Sequence, residues 1–186
     1  MSLETHGYAL LPSLVPDSMV HLCRNAILYD ANSGLLKSDN TVPGSLAGSN
    51  NVALKTLQAQ LRPKLEKETG KALYHTYVYY RIYQKGAKLL KHKDRPACEY
   101  SITLNLGGSN DVDWPIYVES LGRDVPVSLK PGDALLYKGC EIPHWRDTYT
   151  GTEQVQAFIH YVDQNGPYHE HKDDAVRLKQ RAADAK

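Results

Sequence analysis

The chain has 186 residues, enough to bury a sizeable core and most simply read as one domain, 1–186. Its 22 basic and 21 acidic residues nearly cancel, so no strong field points to nucleic acid or to an anionic membrane as partner. There is no long apolar run, no basic segment leading into an apolar one at the start, and only three scattered cysteines, Cys23, Cys98 and Cys140; the expectation is a cytoplasmic protein with reduced thiols.

The N-terminal part, about 1–70, reads as mainly helical. PDSMVHLCRNAILYDA (16–31) opens with Asp17 or Ser18 as a cap and places Leu22, Ala26 and Tyr29 on one face. NNVALKTLQAQLRPKLEKETG (50–70) carries Leu54, Leu57, Leu61 and Leu65 at steps of three and four and ends at Gly70. Pro63 is expected to kink or divide this second helix. The intervening SDNTVPGSLAGSNN reads as a loop.

After Gly70 the period changes to two. Eight strands are expected, at about 73–84, 87–94, 99–107, 114–120, 125–130, 133–138, 142–147 and 154–162, parted by turn signals such as GGSND, LGRD and KPGD. A charged tail, about 164–186, follows the jelly-roll core of about 71–163. Helices first and close-set strands after predict a mainly β fold with flanking helices. The expected form is a double-sheet jelly roll with the helices packed on one outer face.

Residues two apart on a strand share a face. One face of 154–160 is therefore Gln154, Gln156, Phe158 and His160, and the other is apolar. In 75–83 one face carries His75, Tyr77, Tyr79, Arg81 and Tyr83. His92 shares a face with Asp94, and His144 with Arg146. Thirteen tyrosines against one phenylalanine fit polar faces that line a wet cavity.

An H-x-D alone is a weak signal. His144, on a separate strand after KPGD, strengthens it, because two imidazoles and one carboxylate can take three positions on one side of an octahedral ion. The other three remain for substrate, co-substrate and dioxygen, the facial triad of non-haem iron enzymes. His160 reads as a core histidine rather than a ligand, and His169 and His171 as part of the solvated tail.

The ordered set YQKGAKLLKHKD, SITLNLG, WPIYVE, LKPGDALLYKGCEIPHWRD and QVQAFIHYV resembles the Fe(II)- and 2-oxoglutarate-dependent oxygenases, and within them the prolyl-4-hydroxylase-like branch. GYALLPSLVPDSMVHLC is similar to that family's opening strand and helix, so the resemblance spans about 6–163. It implies a double-stranded β-helix with His92, Asp94 and His144 as catalytic iron ligands. It also implies 2-oxoglutarate as co-substrate, decarboxylated to succinate as dioxygen is cleaved. The intact carboxylate at Asp94 implies hydroxylation rather than halogenation.

The departure lies in the co-substrate anchor. The family's Arg or Lys, about ten residues after the distal histidine, is here Gln154. A dicarboxylate in a desolvated pocket calls for a cation, so Arg146 is the first candidate and Arg81 the second. Tyr83 and Thr103 match positions that line the 2-oxoglutarate pocket, and Gln154 adds a neutral donor. Arg95, Trp114 and Trp145 are expected at the cavity mouth, and loops 108–113 and 37–51 as lids. The resemblance implies hydroxylation of an amino-acid, peptidyl or small-metabolite substrate. Two other readings stay open: a metal-dependent cupin-like isomerase or hydrolase, and a non-catalytic ligand-binding jelly roll.

Overall fold

A computed structural model describes residues 2–108 and 112–184. In chain order the elements are α1 (Leu3–His6), β1 (Tyr8–Leu11), α2 (Asp17–Asn32), β2 (Lys37–Ser38), β3 (Ser45–Ser49), α3 (Val52–Thr69), β4 (Leu73–Gln84) and β5 (Leu89–His92). β6 (Tyr100–Gly108), β7 (Ile116–Ser120), β8 (Arg123–Val127), β9 (Ala134–Lys138), β10 (His144–Arg146), β11 (Glu153–Asp163) and α4 (Ala175–Asp184) follow. The strands form a seven-stranded sheet, in the order β1-β9-β6-β11-β4-β3-β2, and a four-stranded one, β5-β10-β7-β8. All the described pairings are antiparallel, which is the expected jelly roll, a double-stranded β-helix.

Alternation decides the layering. Val155, Ala157 and Ile159 of β11, with Val78, Tyr80 and Ile82 of β4 and Ile102 and Leu104 of β6, turn outward beneath α2 and α3. Leu54, Leu57, Leu61 and Leu65 of α3 pack there in one stripe, as their spacing predicts. The opposite, polar faces of β4, β6 and β11 look toward the smaller sheet.

Four local expectations change. α2 buries Val20, Cys23 and Ile27, while Leu22 and Tyr29 are 55% and 71% exposed. Both stripes satisfy helical spacing, and contact with the sheet selects between them. The helix begins at Asp17 behind Pro16, with no side-chain cap. α3 continues through Pro63, which sits on the exposed side, so the carbonyl left without a donor faces water. The segment read as a loop contains β2 and β3, with β3 paired along β4 from Ser45–Tyr83 to Ser49–Tyr79. Small polar residues look like turn chemistry, but the free edge of β4 recruits them. Gly48 lies so close to Tyr80 that a Cβ there would meet its hydroxyl at 2.6 Å.

The candidate lid at 37–51 is thus partly sheet edge. Of the other, 108–113, residues 109–111 lie outside the described residues. The expected tail instead folds back as a 3-10 segment, His169–Asp174, and α4. Cys23, Cys98 and Cys140 are free thiols.

Candidate metal centre and active site

Strand pairing brings the two histidines together. β5 and β10 are neighbours, with His92 directly opposite His144 and ring centroids 4.4 Å apart. Each ring is oriented by its own strand. His92 Nδ1 meets the Leu90 carbonyl at 2.8 Å and His144 Nδ1 the Ile142 carbonyl at 2.9 Å. A proton on each Nδ1 leaves both Nε2 lone pairs free to ligate. Asp94 Oδ1 stands 3.6 Å from each Nε2, and the three ligand atoms lie within 4.8 Å of one another. Burial pushes His144 below the usual histidine range, favouring the neutral ring a metal requires. Burial would raise Asp94, but the surrounding His92, His144 and His160 hold its carboxyl below the usual range, and Asp94 in turn raises His92. Two neutral imidazoles and a carboxylate on one side of a cavity fit a divalent cation.

Asp94 is held from behind. Its backbone N–H donates to the Gly139 carbonyl at 2.9 Å. Ser101 Oγ lies 3.1 Å from Asp94 Oδ2 and 2.9 Å from His160 Nδ1. Burial pushes His160 down to about 4, so its ring is neutral. With its proton on Nδ1, His160 donates to Ser101, which donates to Asp94 Oδ2 and leaves Oδ1 facing the histidines. Cys98 also comes near Asp94 and His160, but burial raises its thiol far above the ordinary range and it bonds Tyr77 Oη at 3.1 Å.

Gly139 closes this arrangement, since a Cβ there would sit 2.6 Å from Asp94 Oδ2, 2.9 Å from Ser101 Oγ and against the Cys98 carbonyl. Gly139→Ala is therefore expected to cost about 1–3 kcal/mol of stability and to weaken metal binding by displacing Asp94. Thermal melts with and without added Fe(II) measure both; unchanged metal affinity would show that Gly139 has no part in setting Asp94.

The triad opens onto a cavity of about 280 Å³, which Arg81 and Arg146 also line. The two arginines differ in one respect. Arg81 presents Nε and Nη2 to Asp39 Oδ2, at 2.7 and 2.6 Å, and Nη1 to Tyr83 Oη at 2.8 Å. Its fork already holds a carboxylate. Arg146 is 1% exposed and donates only Nη1, to the Trp114 carbonyl at 2.7 Å. Its Nε and Nη2, buried, have no partner among the described residues. These two N–H groups form one edge of the guanidinium and point in parallel, the geometry that grips a carboxylate at both oxygens. Burial without a counter-charge lowers Arg146 to about 10.

Burial would raise Asp39, but Arg81 overrides it and holds the carboxyl below the usual range. Both side chains are nearly inaccessible, at 8% and 4%, so Asp39→Ala is expected to destabilise the fold by about 3–5 kcal/mol. This contribution is present above the unfolded aspartate value of about 3.9 and is lost as pH falls through the depressed folded value. Urea midpoints of wild type and variant should therefore converge in acid; a pH-independent gap would assign the loss to packing alone.

No family model matches this sequence, and no curated protein matches it. Solved structures do. A Pseudomonas putida prolyl-4-hydroxylase superposes with a TM-score of 0.71 at 18% identity, over 87% of this chain and 95% of that one. SnoK, a non-haem α-ketoglutarate-dependent carbocyclase from nogalamycin biosynthesis, gives 0.74 at 12%, over 87% and 81%. HygX from Streptomyces hygroscopicus, crystallised with nickel and 2-oxoglutarate, gives 0.69 at 12%, over 88% and 85%. The chain has the fold of the Fe(II)/2-oxoglutarate oxygenases.

Within this oxygenase fold the other expected site residues scatter. Tyr83, fully buried, accepts from Arg81 and packs edge-on to Trp114 at 4.8 Å between ring centroids. Trp114 lies under the Arg146 guanidinium, 4.7 Å from its carbon. Thr103 is fully buried, and its Oγ1 donates to Gln156 Oε1 at 3.4 Å. Gln154 spends its amide on Asn105, at 2.7 Å, beside Gly108 and away from the triad cavity. Trp145 is not at the entrance. Flanked by His144 and Arg146 on a strand, it points to the opposite face, where it stacks on Tyr117 at 5.3 Å with Lys91 over it. Arg95 lies 4.4 Å over the ring of Tyr77, which lines the cavity. Asp39, Ser101, Tyr137 and Arg177 were not singled out by the sequence reading. Ser101 and Tyr137 carry only the strand alternation as a signal, and Asp39 and Arg177 arrive from distant segments.

Proposed function

We propose that this protein is an Fe(II)- and 2-oxoglutarate-dependent dioxygenase that hydroxylates an amino-acid or peptidyl (prolyl-like) side chain or a small metabolite. The observation that carries the reading is that the His92–Asp94–His144 set shares one cavity with a buried arginine, Arg146, on the same strand as His144, whose carboxylate-binding edge has no partner among the described residues. Bound iron with 2-oxoglutarate would supply dioxygen activation, yielding succinate and carbon dioxide.

The residues of the chain then divide the work. His92, Asp94 and His144 hold the ion by Nε2, Oδ1 and Nε2. Arg146, two residues beyond His144 on the same strand, would take the far carboxylate of the co-substrate with its free Nε and Nη2. Its depth excludes water, which strengthens the pairing. Tyr83 and Asp39 keep Arg81 out of that role. Leu89, Ile116 and Phe158 give the cavity apolar walls beside the triad, where a C–H bond can be held away from solvent.

The metal-dependent isomerase or hydrolase reading draws on the missing cation at Gln154, and the unpartnered guanidinium edge of Arg146 supports the oxygenase instead. We place the protein in the cytosol with one oxygenase domain, in keeping with its free thiols; no described helix is long and apolar enough to cross a membrane. Anaerobic titration of the Fe(II)-loaded protein with 2-oxoglutarate tests the reading. A saturable metal-to-ligand charge-transfer band is expected in the visible. Iron binding without the band would return the lead to a metal-dependent non-oxygenase.

A further inference from the structure

The cavity rim carries a second pair of cations, separate from Arg146 and Arg81. Arg95 immediately follows Asp94, and its Nη2 donates to Asp174 Oδ1 at 2.8 Å. Arg177, on α4, places Nη1 3.7 Å from Asp174 Oδ2. Both guanidiniums approach one ring: Arg95 lies 4.4 Å and Arg177 6.0 Å from the centroid of Tyr77. Tyr77 and Arg177 themselves line the triad cavity. Arg177 and Tyr79 also line a neighbouring open groove of about 830 Å³ between α2, β3 and α4. Arg177 therefore stands where that groove meets the cavity, and Arg95 lies beside it across Asp174 and Tyr77.

What occupies the pair is a carboxylate of the chain itself, delivered at a conformational cost. Asp173 and Asp174 have φ of 53° and 56°, two consecutive residues in the left-handed region that aspartate ordinarily visits singly. Asp174 is nonetheless largely buried, with 11% of its side chain exposed. Two cations thus share the Asp174 carboxylate. A strained internal anion between two arginines is the kind of contact an incoming carboxylate can replace, with relief of strain on one side and bidentate pairing on the other.

We propose that the substrate carries a carboxylate, that Arg95 and Arg177 recognise it at the rim, and that Asp174 yields its place when the substrate arrives through the groove. This rests on the oxygenase reading, which locates the substrate at the triad cavity. It narrows that reading to acidic substrates, free amino acids or acyl amino acids among them, whose reactive C–H lies inward of the carboxylate.

The test compares N-acetyl amino acids with the corresponding N-acetyl amides, titrated into the full-length protein and followed by ligand-observed NMR. In wild type the acids should bind at least about tenfold tighter than the amides, or about 1.4 kcal/mol. In Arg177→Gln and Arg95→Gln this preference should collapse. In Asp174→Asn, which removes the competing charge while keeping the side chain's shape, the acids should bind tighter still and the amides should not change. If Asp174→Asn lowers the melting temperature so far that titration fails, the arginine variants decide. Equal binding of acids and amides by wild type, no binding by any acid, or a preference that survives in both arginine variants would overturn the proposal. A separate 2-oxoglutarate titration of the Fe(II)-loaded wild type reads the oxygenase assignment, so the rim and the co-substrate site can each fail alone.

Discussion

Asp94→Ala is expected to abolish both metal retention and product formation. Asp94 is the single anionic ligand in the set, and its Oδ1 is equidistant, at 3.6 Å, from both histidine Nε2 atoms. Without it two neutral imidazoles must hold a dication with no charge balance. Loss of an outer-shell partner alone typically costs about 10–100-fold in metal affinity, and loss of the carboxylate itself should exceed that. Asp94→Asn is the companion variant. It keeps the size and can still accept from Ser101, but it lacks the charge, so it should lose most of the same affinity while its circular dichroism matches wild type. Competition against a chromogenic chelator reads the metal, and mass analysis of product reads turnover. Product at the wild-type rate from Asp94→Ala would remove these three residues from the role of metal ligands.

Arg146→Met should separate stability from function in opposite directions. In the folded chain Arg146 buries a charge whose Nε and Nη2 have no described partner, a burden on the native state. Replacing it by an apolar side chain of similar length removes that burden at the expense of one hydrogen bond, to Trp114. The melting temperature should therefore hold or rise. Removing one partner of a buried ion pair with a ligand costs about 2–5 kcal/mol, so the 2-oxoglutarate requirement should rise by roughly 30-fold or more. Arg146→Lys should restore part of it, because the charge returns but not the parallel fork. A drop in stability with an unchanged 2-oxoglutarate requirement would make Arg146 a structural residue and move the anchor elsewhere.

Much of this was legible in the order of residues. Alternation in 75–83 and 154–160 put Arg81, Phe158 and His160 on one face, and the sandwich turns that face inward. The same rule, applied to H-W-R at 144–146, sends Trp145 to the face opposite His144 and Arg146, away from the expected mouth. Spacing also left two equally good stripes on α2, and only burial against the sheet chose Val20, Cys23 and Ile27.

What the sequence determined by itself was the set of strands after Gly70, the mixed polar and apolar faces, and the His-x-Asp with its distal histidine. Each of these is a local signal, carried by a period of two or by a short motif. The tertiary structure decided which arginine is free. Arg81 and Arg146 look alike on paper, but β3 pairs onto β4, β2 onto β3, and this brings Asp39 to Arg81, 42 positions away, while nothing described reaches Nε and Nη2 of Arg146. Likewise Asp174 comes 79 positions back to Arg95. Ion pairing in a buried site depends on which distant carboxylate arrives, and no local pattern encodes that.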